Sequence, residues 1–378
     1  MTSFKLTAVV LAAGLSSRIG RQKALLPLGD LPAAQCIIRL LRQCGIDSIR
    51  FVTGHNREKL APLLQAAGVE TVENRHYLAG MFSSVKTGLT GLGSPCAGVL
   101  VLPVDIPLVR PRTLRELIRR FADAPDHIIY PTFQAKRGHP PLIPVSTVPD
   151  ILEWQGGGGL KACLAENGAL AIDVAVPDAN ILFDIDTPDE YEEALRRWEH
   201  MEVPSAVECN VILREFHPVS EEVFGHCRKV AQVAGAVASA FVRAGSGVDV
   251  GLVHAAAMLH DIAKGRPRHA EVGARWLAAL GFDRTGDVIA SHTDIAVRKD
   301  GRIGEAEILY LADKYVSGTR VIPMENRFEA ALARYGDRTD IREKIQKRKR
   351  AALWFDRCVE TIVHRPVMEI ILKAGITT

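Results

Sequence analysis

The sequence has no uninterrupted apolar run long enough to span a bilayer, so no membrane role is expected. Its first residues lack a charged n-region, a long apolar core and a cleavage site, which argues against a secreted form. Seven cysteines are present, an odd and scattered set that is never spaced CxxC. That pattern excludes a disulfide framework and predicts reduced, packed thiols in a cytoplasmic protein. Net charge is only +3, and the densest basic run, Arg342 to Arg350, reads as a solvated helix face. Nucleic acid is therefore not an expected partner. There is no internal repeat or low-complexity tract, no GKS or GKT of a Walker A loop and no GxGxxG.

What is present falls into two halves. A chain of 378 residues is too long for one ordinary core. In the first half, short apolar runs at 6–11, 49–53, 69–72 and 98–102 alternate with helical patterns at 33–43, 57–67, 82–89 and 113–121. Strands separated by helices predict parallel pairing through right-handed crossovers. Further strands are expected at 128–130, 171–176 and 181–185, then a helix from Pro188 to about 198. The fold class expected is an α/β Rossmann-like domain, a mostly parallel sheet with helices on both faces, over 1–200. Pro204 and Ser205 mark a linker at 201–210. From 211 to 378 strand signals fade, and Ala, Leu, Arg and Glu at helical spacing predict an all-α domain.

The first candidate site is LAAGLSSRIG from Leu11 to Gly20, followed by Lys23. Small residues after a strand (Ala12, Ala13, Gly14) let the backbone approach a ligand, and consecutive N–H groups form an anion nest. Ser16 and Ser17 add hydroxyls, while Arg18 and Lys23 add the positive charge that stabilises a reacting phosphate. Asp105 ends an apolar strand between Pro103 and Pro107, a position suited to Mg²⁺. Asp184 and Asp186 would share one face of the expected strand 181–185, and either is a candidate second ligand. The alternative role for one of them is capping the helix at Pro188, though Thr187 is better placed.

The run from Leu11 to Lys23 resembles the LAAGxSxRMGxxK signature of MobA-like nucleotidyltransferases, with Ile19 in place of Met. GMFSS from Gly80 to Ser84, RGHP from Arg137 to Pro140 and DIDTP from Asp184 to Pro188 resemble the members that act on molybdopterin, closest to molybdenum cofactor cytidylyltransferases. The resemblance covers about residues 5–199. It implies transfer of CMP from CTP to the phosphate of molybdopterin with release of pyrophosphate. Leu11, Ala12, Ala13, Gly14, Ser16 and Ser17 with Ser83 and Ser84 would hold the nucleotide, and Arg137, Gly138, His139 and Pro140 the acceptor. Arg18, Lys23 and Asp105 would act on the triphosphate with Mg²⁺. The family's Ala-Ala-Gly form goes with pyrimidine nucleotides, so Ala13 points to CTP. Gly156–Gly159 departs from the family's more polar turn, which leaves an alcohol or sugar phosphate as the alternative acceptor. His139 is alternatively a loop histidine, and His55 and His76 read as surface residues.

The second candidate site is the doublet His260 and Asp261, expected to end a helix over 250–262. With His226, His269, His292 and Asp313 it offers ligands for Fe, Mn, Zn or Ni, one ion or two. His254, six residues before His260, falls on another helix face. The order resembles HD-domain phosphohydrolases over about 215–320. That resemblance implies metal binding by His226, His260, Asp261 and Asp313, with His269 and His292 matching the bimetal branch. Lys264 is either a phosphate contact or solvated. A sensor or docking module, with an apo-molybdoenzyme as a partner, is the alternative to a hydrolase. Residues 320–378 resemble no assigned family and read as helices packing on the second domain.

Overall fold

The computed structural model describes residues 5–93, 95–166, 170–297, 301–335 and 337–377. It forms two compact units, the first ending at Met201 and the second beginning at Glu202. Among the described residues no helix is long and apolar enough to cross a membrane.

The first unit is built on one mixed sheet. Its strands are β1 (Leu6–Ala12), β2 (Ser48–Thr53), β3 (Glu70–Glu73), β4 (Gly98–Pro103), β5 (Ile128–Phe133), β6 (Lys136–Arg137), β7 (Leu142–Pro144) and β8 (Ala171–Ala175). The order is β8-β5-β7-β4-β1-β2-β3, with β6 paired to β5. Neighbours from β4 to β3 run parallel, as do β5 and β8, whereas β7 is antiparallel to both its neighbours. Strands β1 and β4 are buried along their whole length, which is why both read as continuous apolar runs. The helix Met81–Leu89 crosses β1 so closely that a Cβ on Gly88 would lie 2.3 Å from Val9 Cγ1.

The expected strand over 181–185 does not form. Ala179–Leu182 is a single tight turn instead, capped by Asp178, whose side chain accepts from the Asn180 amide. Asp178 is buried and also accepts from Thr113 Oγ1 at 2.7 Å and Arg110 Nη1 at 2.8 Å. Thr187 caps the helix Pro188–Glu199 in a capping box with Glu190. Residues 206–210, expected within a linker, lie in the helix Ala206–Val211. Ser205 and Glu208 satisfy each other's amides in a second capping box, at 2.7 and 3.3 Å.

The second unit is helical apart from a two-residue hairpin, Val316–Ser317 with Arg320–Val321. Its helices include Glu221–Arg243, Val250–Leu259, His269–Ala279, Asp283–Ala290 and Glu305–Lys314. The helix expected to reach 262 ends at Leu259, so His260 and Asp261 lie in the turn that follows it. Three further helices, Met324–Tyr335, Thr339–Val363 and Val367–Lys373, share the same core. Phe328, Phe355, Val359 and Ile371 pack in one cluster with Phe241, Ile308 and Tyr310.

Candidate nucleotide and metal sites

Strands β1 and β4 pair in parallel with Leu11 opposite Pro103, so the loops that follow them leave one edge of the sheet together. Val104 N donates to Leu11 O at 3.0 Å, tying the two loops. Between them lies a cavity of about 430 Å³ lined by Leu11 to Arg18, Lys23, Gly80, Ser84, Asp105 and Asp186. Ser16 adopts a left-handed conformation with φ 53°, and its Oγ accepts from the Lys23 amide at 3.3 Å, closing the loop on itself.

The Lys23 ammonium bridges two carboxylates. It donates to Asp105 Oδ2 at 2.8 Å and also to Asp186, which Arg18 pairs from the solvent side. Partial burial works against the Lys23 charge, but Asp105 and Asp186 outweigh it and raise its pKa. The hydrogen bond from Lys23 lowers the pKa of Asp186, against a desolvation penalty. Two carboxylates that converge on one ammonium can converge on a divalent cation, so the donor set fits Mg²⁺.

The structure separates Asp184 from Asp186. Ile185 N donates to Asp105 O at 2.9 Å, which turns Asp186 into the cavity and leaves Asp184 exposed and outside its lining. Of the GMFSS serines, Ser84 lines the cavity, as do Ser16 and Ser17 of the loop. The Ser83 hydroxyl is held within the fold by Asn74 Nδ2 at 2.8 Å and Gly80 O at 2.8 Å. Arg137 does not face the cavity. It is exposed, donates to Asp173 Oδ1 at 2.6 Å and lies over the Tyr130 ring. Gly138 and Pro140 are buried, and a Cβ on Gly138 would meet Ile181 O at 2.5 Å. The His139 amide donates to the same Ile181 O at 2.9 Å. Burial lowers the His139 pKa, opposed by the charges of Asp105 and Asp184.

In the second unit the sequence brings six candidate ligands to one place. His226 lies on Glu221–Arg243, His260 and Asp261 follow Val250–Leu259, and His269 opens His269–Ala279. His292 follows Asp283–Ala290, and Asp313 lies on Glu305–Lys314. His260 Nδ1 contacts Ala257 O at 2.8 Å, His292 Nδ1 contacts Ile289 O at 2.7 Å and His226 Nδ1 contacts Gly318 O at 2.9 Å. A carbonyl only accepts, so Nδ1 carries a proton in all three rings and Nε2 is the nitrogen turned toward Asp261 and Asp313.

Two groups result, and Asp261 belongs to both. Oδ2 lies 3.5 Å from His260 Nε2 and 3.9 Å from His226 Nε2. Oδ1 lies 3.3 Å from His269 Nε2 and 3.7 Å from His292 Nε2. Asp313 Oδ1 lies beside the first group, 3.2 Å from His226 Nε2 and 4.0 Å from His260 Nε2. His260 Nε2 and Asp261 Oδ1 are buried with no hydrogen-bond partner in the described structure. Orphaned buried donors of this kind fit a cation. Burial opposes the charge on Asp261, but His260, His269 and His292 hold its carboxyl far below the usual range. Asp313 is held low against its own burial by Lys314 and Arg327.

Lys264, one of the open readings, donates to Asp261 Oδ2 at 2.7 Å while remaining half-exposed. Arg327 was not foreseeable: it sits beyond the motif on Met324–Tyr335 and lies 3.3 Å from Asp313 Oδ1. Lys314, 2.7 Å from Asp313 Oδ2, had a signal only in being its chain neighbour.

A nucleotide-type α/β unit with a carboxylate pair, followed by a helical unit with a histidine–aspartate centre, defines a two-site protein. Residues 8–171 match the family model of the MobA-like NTP transferase domain, and residues 223–318 that of the HD domain. The chain therefore joins a MobA-like NTP transferase domain to an HD domain. It is 28% identical over 196 residues to the "Probable molybdenum cofactor guanylyltransferase" of Nostoc sp. (strain PCC 7120), covering 49% of this chain and 88% of that one. It is 32% identical over 120 residues to the "Bifunctional protein GlmU" of Cellvibrio japonicus, covering 31% of this chain. The match spans only 26% of that GlmU's length. The structure of Rv0371c from Mycobacterium tuberculosis H37Rv is similar at 27% identity and a TM-score of 0.44, over 52% of this chain and 100% of that one.

Proposed function

We propose that the first unit transfers CMP from CTP to the phosphate of molybdopterin. A terminal phosphate oxygen of the acceptor attacks the α-phosphorus, the bond from that phosphorus to the bridging oxygen breaks, and pyrophosphate leaves. The observation that carries this reading is the Lys23 ammonium held between Asp105 and Asp186 in the cavity beneath the Ala12–Arg18 backbone. Asp105 and Asp186 would hold Mg²⁺, which supplies charge neutralisation of the triphosphate. Backbone N–H groups of the loop orient the phosphates, and Arg18 and Lys23 balance charge building on the leaving group. Ala13 in place of a second glycine supports CTP, while the guanylyltransferase names of relatives make GTP the rival.

The second unit is proposed to be a metal-dependent phosphohydrolase. His226, His260, Asp261 and Asp313 would hold one ion, and Asp261, His269 and His292 another. Such ions supply an activated water and a Lewis acid. Lys264 is placed to meet a substrate phosphate once it leaves Asp261.

Pyrophosphate release by the whole protein with Mg²⁺ tests the transferase. CTP, GTP, ATP and UTP are offered in turn, with and without molybdopterin. Release with CTP plus molybdopterin, abolished by Asp105→Ala, is expected. Release with GTP alone among the nucleotides would overturn the pyrimidine assignment, and release with a sugar or alcohol phosphate but not molybdopterin would overturn the acceptor.

A further inference from the structure

The basic run at Arg342 to Arg350 lies on the helix Thr339–Val363, outside the matched HD residues 223–318. Part of it forms one wall of a cavity of about 750 Å³, and Asp294 to Val297 form the other. The helix wall carries Lys347, Arg350, Trp354 and Arg357, at spacings of three, four and three residues, which places them in one stripe. Among the described residues no carboxylate lies within ion-pair distance of Lys347, Arg350 or Arg357, although Lys347 adds to the positive field on Asp294. Arg348 is different: it donates twice to Asp294, at 3.0 and 2.7 Å, neutralising the acid of the facing wall and pinning that wall to the helix.

A solvated basic face has no use for large apolar groups. Here Trp354 is 36% exposed and Val297 44% exposed, and both line the same cavity. An exposed indole with unpaired cations one turn to either side is the arrangement that accepts a planar base and its phosphates. The cavity has the volume of a small-molecule site rather than of a nucleic-acid channel. Its Asp294 wall begins two residues beyond His292 in the chain.

We infer that this cavity binds a nucleoside phosphate, with the base against Trp354 and the phosphates against Lys347, Arg350 and Arg357. That this nucleotide is also what the histidine–aspartate centre hydrolyses rests on the phosphohydrolase reading; the binding itself does not.

The test is titration of the full-length, chelator-treated protein with AMP, GMP, CMP and their triphosphates, followed by tryptophan emission. Chelation removes turnover, and the component of the signal that Trp354→Phe abolishes reports this cavity and not the transferase site. Nucleotide quenching of that component is expected. Lys347→Ala with Arg350→Ala should weaken the apparent affinity about ten-fold or more, because charge-assisted contacts are lost. Unchanged thermal midpoints establish that these surface variants fold.

Failure of every nucleotide to alter the Trp354 component would overturn the proposal. So would quenching that survives the double substitution, or quenching by a single-stranded oligonucleotide but by no mononucleotide. Phosphate release by the metal-loaded protein is scored separately. Binding without release from any nucleotide would leave this site standing and remove the bound nucleotide as the substrate of the histidine–aspartate centre. Release without Trp354-dependent binding would do the reverse.

Discussion

Replacing Lys23 with Met removes the ammonium that separates Asp105 from Asp186. Side-chain exposures of 14% for Lys23, 19% for Asp105 and 25% for Asp186 put this cluster between a surface pair and a buried one. Surface pairs contribute about 0–1 kcal/mol, and breaking a buried pair costs about 3–5 kcal/mol. The expected destabilisation is therefore about 2 kcal/mol, or roughly 4–8 °C in Tm for a domain of this size. Differential scanning calorimetry of the full chain would measure it.

The pH dependence has a definite sign. Asp186 titrates lower in the fold than in the unfolded chain, so its contribution is present above the unfolded carboxylate pKa of about 3.9 and is lost as pH falls through the folded value. Lys23 titrates higher in the fold, so its contribution is complete below the unfolded pKa of about 10.4 and is lost as pH rises through the folded value. The wild-type advantage should span this window and shrink outside it. The variant should also regain stability in Mg²⁺, because Asp105 and Asp186, with only the exposed Arg18 left on Asp186, bind the ion without displacing an ammonium. An unchanged Tm at neutral pH, or a loss that Mg²⁺ fails to reduce, would refute the reasoning.

Other substitutions test other parts of the molecule. Gly138→Ala places a methyl 2.5 Å from Ile181 O, and chemical denaturation should show a loss of about 1–3 kcal/mol. Asp178→Ala removes the carboxylate that pairs with the buried Arg110 guanidinium and accepts from the Thr113 hydroxyl, with an expected cost of about 3–5 kcal/mol by the same assay. Asp261→Asn weakens both ligand groups at once, so elemental analysis of the purified variant should show loss of metal from both, whereas His269→Ala should deplete only one.

The features that could be read from residue order alone were local ones. The small-residue loop after β1 and the His260–Asp261 doublet were visible because each needs only chain neighbours and an element end. Helix Ala33–Gln43 has the bounds its apolar period indicates. The residues whose placement could not be read depend on contacts made far along the chain. Two aspartates two residues apart look equivalent, and only the Ile185 to Asp105 backbone bond turns Asp186 inward and Asp184 outward. Arg137 sits in a motif, yet its side chain lies at the surface, where Asp173 on β8, across β5 from it, takes its Nε–H.

Strand β7, flanked by prolines and three residues long, has too little pattern to declare itself, and its place between β4 and β5 comes from pairing alone. In the second unit, composition determined a helical domain and the order of its ligands. Tertiary packing decided which nitrogen each of His226, His260 and His292 presents, because carbonyls within the fold take the other one. It also decided that Arg327 and Arg348, outside every motif, stand beside that centre: the helices carrying them are fastened there by the shared apolar core of Phe328, Phe355 and Tyr310.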